Sequence, residues 1–221
     1  MTVFDNLNSF TTLLRWLGPW ADENQAPDSL REELIVSNGA NPDLKIWVYK
    51  PTHGPIRGSY LIGPGLHFKG PQHPQLDRFA RILAHGGNLV FSPFITDYEN
   101  LKILPESYAP FKCAFQALLA HTERPAPIKP GLFSISFGCW LTLQLASDPE
   151  TAHDIGACLV FGGYGDFEAS VNFTTTGKLP GHETIESDPL GLPLIFIQLV
   201  EAMDNFRTDR ELLIQTWKKY I

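Results

Sequence analysis

The stretch Phe133-Ser134-Ile135-Ser136-Phe137-Gly138 constrains the fold more than any other part of the chain. It follows an apolar run beginning at Gly131 and opens an amphipathic helix-like segment, Phe137 to Ala146. A serine on a sharp strand-to-helix turn, flanked by small residues, is the pattern of a nucleophile elbow. Its usual form is Gly-x-Ser-x-Gly. Here Ser134 takes the first small position, Ser136 the central one and Gly138 the last. The bland alternative is an ordinary β-α connection, so the surrounding order of elements has to decide.

Leu7, Phe10, Leu13, Leu14 and Leu17 recur at near-helical spacing, and Gly18-Pro19 ends that predicted N-terminal helix. Glu33 to Val36 and Leu44 to Tyr49 read as strands, with Asn38-Gly39 marking the turn of a hairpin. Ser59-Tyr60-Leu61-Ile62 is a third strand running into Gly63-Pro64-Gly65. Strand and helix then alternate. His73 to His85 carries Leu76, Phe79, Ala80 and Leu83 on one face, Asn88 to Phe94 is apolar, and Tyr108, Phe111, Phe115, Leu118 and Leu119 mark another helix. Gly131 to Ile135 precedes the elbow, and Ala157 to Phe161 reads as a further buried strand. Apolar strands alternating with amphipathic helices predict an α/β fold, a mostly parallel sheet flanked by helices on both faces, with the hairpin as an antiparallel edge.

With 221 residues, 43% of them hydrophobic, the chain can bury a core without disulfides. No linker or repeat divides it, so residues 1–221 are expected to form one domain. A net charge of −7 without a basic block argues against nucleic acid and anionic membranes as partners. The longest apolar run, Leu190 to Val200, is too short to span a bilayer and contains Gly191 and Pro193. Cys113, Cys139 and Cys158 lack metal-ligand spacing and fall in predicted helices or strands. An odd number of core thiols, and no basic segment ahead of an apolar one near Asp5, predict a reducing, cytoplasmic setting.

Ligands of open α/β sheets bind at the carboxyl ends of strands, where both Gly63-Pro64-Gly65-Leu66-His67 and Ser134 to Gly138 fall. An antiparallel start, a glycine turn after the third strand and small-x-Ser-x-Gly after the fifth together resemble the α/β-hydrolase fold, over roughly Glu33 to Asp166. The resemblance implies Ser136 as a nucleophile activated by a histidine that an acid orients. It also implies the backbone N–H groups of Phe137 and Leu66 as oxyanion donors. Pro64 stands where many members have histidine, which stiffens the loop without removing the donor. A plain tight turn is the alternative for Gly63 to Gly65, and a surface-loop role the alternative for His67.

Members of that family normally continue into two more strand–helix units carrying the acid and the histidine. Here the sixth strand runs into Gly162-Gly163-Tyr164-Gly165-Asp166 and a loop rich in Thr, Gly and Pro. Helix-like segments follow, from Asp188-Pro189 to about Phe206 and from Asp209 to Lys219. Residues 167–221 therefore read as a helical, lid-like segment, and the apolar stretch Leu192 to Val200 as a lid helix or an ordinary core helix. Three accounts follow: a fragment of a longer hydrolase, a rearranged triad using Asp166 and His182 in the order Ser, acid, His, or a non-catalytic scaffold. In that last account the Leu192 to Val200 helix is the exposed contact surface.

The expected function is serine-dependent hydrolysis of an ester or thioester carbonyl on a small apolar acyl compound, needing no metal or organic cofactor. Transfer of the acyl group to another acceptor would look the same. The alternative is a non-catalytic binding or interaction domain. An unfinished sheet edge is expected to favour pairing with another copy.

Overall fold

The computed structural model describes residues 3–37, 39, 42–178, 181, 191–200 and 209–220. Six strands, β1 (Leu30–Val36), β2 (Leu44–Lys50), β3 (Gly58–Gly63), β4 (Asn88–Pro93), β5 (Gly131–Ile135) and β6 (Ala157–Phe161), form one mixed sheet. The described helices are α1 (Val3–Leu17), α2 (Pro74–His85), α3 (Thr96–Glu99), α4 (Tyr108–Ala120), α5 (Gly138–Ser147), α6 (Phe167–Thr176), α7 (Gly191–Leu199) and α8 (Arg210–Tyr220).

The strand order is β1-β2-β4-β3-β5-β6. β1 and β2 form the expected antiparallel edge, and β2 meets β4 antiparallel. From there β3 is parallel to both β4 and β5, and β5 to β6. After β3 the chain moves to one side to build β4 and then crosses to the other side to build β5. The loops leaving β3 and β5 therefore diverge at a topological switch point, where a crevice opens. The register places Gly63 opposite Ser134, so the two suspected loops start side by side.

Side chains alternate between two cores because successive Cβ atoms point to opposite faces. Val48, Leu61, Leu89, Phe91 and Leu132 pack with Phe111, Phe115 and Leu118 of α4 and Leu141 and Leu145 of α5. Tyr49, Ile62, Val90 and Phe133 pack instead against Leu76, Ala80 and Leu83 of α2. Burial on both faces is why these strands read as continuous apolar runs. At the other edge, Lys45 and Lys50 of β2 pair with Glu33 and Glu32 of β1. Charged side chains of this kind discourage further strands from adding.

β6 departs from expectation. All five of its residues are exposed, with Leu159 at 60% and Phe161 at 69%. An apolar run records a capacity for burial, whereas actual burial needs a covering neighbour, and among the described residues β6 pairs only with β5. Cys158 is exposed with it, so of the three free thiols only Cys139 is fully buried.

Two helical readings also change. α1 forms, but Phe10, Leu14 and Leu17 stay exposed, and Leu13 packs on the α2 side. The Thr-rich segment after Asp166 is the helix α6 rather than a loop. Asp166 caps it by accepting from Ala169 N–H at 2.9 Å, and Gly177 ends it in a left-handed conformation. The apolar stretch is mixed: Ile197 and Val200 are buried, whereas Leu192 and Leu199 stay exposed, so only one side of the expected contact helix is covered; Asp188-Pro189 lies outside the described residues. No helix among the described residues is long and apolar enough to cross a membrane.

Candidate active site

β5 ends at Ile135, and Ser136 takes φ +51°, one of two non-glycine residues with positive φ among the described residues. For an L-residue this conformation costs on the order of 1–2 kcal/mol, so surrounding bonds must hold it. Ser136 N–H donates to Phe161 O at 2.9 Å, and Cys139 N–H donates to Ser136 O at 3.0 Å. Tyr98 Oη donates to Phe137 O at 3.1 Å, just where α5 begins.

The small residues of the motif are there for space. A Cβ on Gly138 would lie 2.4 Å from Pro64 O and 2.6 Å from Gly63 O, so the elbow lies directly on the backbone of the β3 loop. Ser134 is fully buried against Gly63, where a Cβ would come within 3.1 Å of the Ser134 Cβ. The Ser134 hydroxyl has no hydrogen-bond partner there, so its size is what the position uses.

The β3 loop reaches the serine. A Cβ on Gly65 would stand 3.8 Å from the Ser136 Cβ, and Leu66 is buried beside it. Among the described residues, neither Leu66 N–H nor Phe137 N–H finds a hydrogen-bond acceptor. The half-buried Ser136 hydroxyl likewise makes no hydrogen bond to a described residue. Leu66 and Phe137 also line a cavity of about 70 Å³, together with Tyr164, Phe167, Leu194, Ile195 and Gln198; Ser136 itself is not part of its lining. Tyr164 packs on Phe137 and Phe167 with ring centroids 5.4 Å and 5.3 Å away, and burial pushes its phenol up to about 12.

The other predicted residues fall apart from this group. Asp166 is exposed and spends Oδ1 on the α6 cap, leaving Oδ2 without a described partner. His182 lies outside the described residues. His67 follows Leu66 but stacks on Phe68, sits edge-on to His73, and accepts from Lys69 N–H through Nδ1 at 3.0 Å. Burial, His73 and Lys69 lower its pKa to about 4, so the ring is neutral at pH 7. A cluster with metal-ligand spacing, Glu32, His121 and Glu123, lies elsewhere, and the Lys50 ammonium already bridges its two carboxylates.

Sequence reasoning missed Tyr98, Phe167 and Gln198 as parts of the site. Tyr98 is 39 positions from its partner, and no local pattern announces such a contact. The cap residue Asp166 and Gly177 could have revealed α6, and with it the cavity wall.

No protein-family model and no curated protein matches the sequence. Solved structures do match. A dienelactone hydrolase from Anabaena variabilis aligns at 20% identity over 65% of this chain and 68% of its own, with a TM-score of 0.50. A bacterial heroin esterase aligns at 14% identity over 86% of this chain and 58% of its own, with a TM-score of 0.54. A Pyrococcus horikoshii acylaminoacyl peptidase aligns at 13% over 87% of this chain but only 30% of its own, with a TM-score of 0.52. At these identities the likeness concerns architecture, and the architecture is common to all three: the chain has the α/β-hydrolase fold.

Proposed function

We propose that the protein is a serine-dependent hydrolase acting on an ester or thioester carbonyl of a small apolar acyl compound. The observation that carries this reading is the strained Ser136 turn, next to Phe137 and Leu66, whose N–H groups find no acceptor among the described residues and which both line an apolar cavity. In the proposed reaction Ser136 Oγ attacks the carbonyl carbon while its proton passes to a histidine. Phe137 and Leu66 N–H groups receive the developing oxyanion, each worth about 10²–10³ in rate. The alcohol or thiol leaves with the histidine's proton, and water then releases the acid from the acyl-serine. His182 is proposed as that base, with Asp166 as its acid, because the free Oδ2 of Asp166 can accept from an imidazole. The apolar walls suit a short acyl chain, with α7 as the lid over it.

Hydrolysis of short-chain p-nitrophenyl esters by the wild type and Ser136→Ala tests this. Turnover that Ser136→Ala abolishes supports it, and turnover that survives the change contradicts it. The second reading is a non-catalytic interaction domain, favoured by the exposed Leu159 and Phe161 of β6. It predicts no turnover in either form.

A further inference from the structure

We infer that Tyr98 is a positioning residue for the oxyanion hole, its hydroxyl fixing the peptide that follows Phe137. The inference rests on the proposed role of the Phe137 N–H. Tyr98 is 1% exposed and reaches across from α3, the short helix after β4, to donate to Phe137 O at 3.1 Å. The other donor to that carbonyl, Trp140 N–H, is longer at 3.3 Å. Phe137 stands at φ −61° and ψ −20°, immediately after the strained Ser136, so a loosened carbonyl lets both residues relax. The Phe137 N–H turns with them. The Phe161 bond holds the peptide before Ser136 and the Tyr98 bond holds the peptide after Phe137. Between these two clamps the Phe137 N–H finds no acceptor among the described residues.

The clamp is itself preset. Asp97, the neighbour of Tyr98, accepts from Ser107 Oγ at 2.8 Å, and Asn100 Nδ2 donates to Thr96 O at 3.0 Å. Leu101, fully buried, holds φ +59° and offers its carbonyl to Gln198 Nε2 of α7. Ile103 N–H donates to Gln198 Oε1 at 3.0 Å. One amide thus fastens the segment that leaves the strained Leu101 at two points, and α3 ahead of it carries Tyr98 to Phe137. Burial, with Tyr164, Cys139 and Asp97 nearby, raises the Tyr98 pKa far above neutrality, so the hydroxyl is always a donor. Preorganised donors of this kind are most effective when their supports cannot move.

Tyr98→Phe keeps the ring and deletes only the hydroxyl. Two readouts are made on the full chain: amide hydrogen exchange resolved over residues 137–140 and over β5, and kcat and KM on p-nitrophenyl butyrate. The expected result is faster exchange at 137–140 with β5 unchanged. In the same variant kcat falls about five- to tenfold and KM stays within twofold. Unchanged exchange at 137–140 overturns the inference whether or not the protein is an enzyme. Faster exchange with unaltered kcat in an active protein overturns the link to the oxyanion hole. Faster exchange in a protein whose wild type hydrolyses nothing leaves the clamp standing and refutes the hydrolase reading instead.

Discussion

Ser136 N–H donates to Phe161 O at 2.9 Å, so the turn bearing the proposed nucleophile is tied to the outermost strand of the sheet. That bond offsets part of the cost of φ +51° at a residue with a side chain. Glycine adopts this conformation without steric penalty, although it loses more backbone entropy on folding. Ser136→Gly is therefore expected to raise stability by about 1 kcal/mol while losing the proposed activity. Chemical denaturation measures the first effect and ester turnover the second. A Ser136→Gly protein less stable than wild type would mean the turn is not strained.

Gly138 meets backbone rather than flexible side chains, with Pro64 O at 2.4 Å and Gly63 O at 2.6 Å from a built Cβ. Neither carbonyl can yield without moving the β3 loop. Gly138→Ala is expected to lower stability by about 1–3 kcal/mol and to depress turnover by displacing Leu66 from Ser136. Urea unfolding and ester kinetics check both, and a neutral substitution would show that the loops are not in contact.

These two sites also show what the sequence could reveal. The elbow was legible because strand, turn and helix lie within a few residues and each has its own local signature. The α2 and α4 helices were legible because their apolar residues recur in step with the helix, and α5 because it follows the elbow directly. β6 misled because its composition matches β5, and only the neighbours of Leu159 and Phe161 decide whether they are covered. α6 was hidden by Thr174, Thr175 and Thr176, whose β-branched or hydroxyl character argues against helix until the Asp166 cap is weighed. Tyr98 was beyond reach because its contact joins distant segments.

The cavity beside Phe137 and Leu66 is small, so the acyl chain it admits should be short. Ile195 lines it from α7. Ile195→Trp is expected to spare acetyl esters and to reduce kcat/KM for butyryl esters by roughly tenfold or more, since filled space discriminates by chain length. A melting temperature near wild type separates this from misfolding. Equal losses on both esters would place the acyl group elsewhere.

His67 carries a pH signature. In the unfolded chain it titrates near 6.5, whereas in the fold burial, then His73 and Lys69, hold it to about 4. Above pH 6.5 both states keep a neutral ring, so its contribution is intact. As pH falls below 6.5 the unfolded chain takes up a proton that the fold refuses, and stability drops until about pH 4. His73 shifts in the same direction and adds to the slope. His67→Gln should flatten the dependence of the urea midpoint between pH 7 and 4. An unchanged slope would show that His67 is not protected from protonation.

The most direct test of the central claim is covalent labelling of the folded protein with a fluorophosphonate, followed by peptide mapping. The account predicts one adduct, on Ser136, that disappears in Ser136→Ala. No adduct on the folded protein, or an adduct that persists in Ser136→Ala, would contradict it.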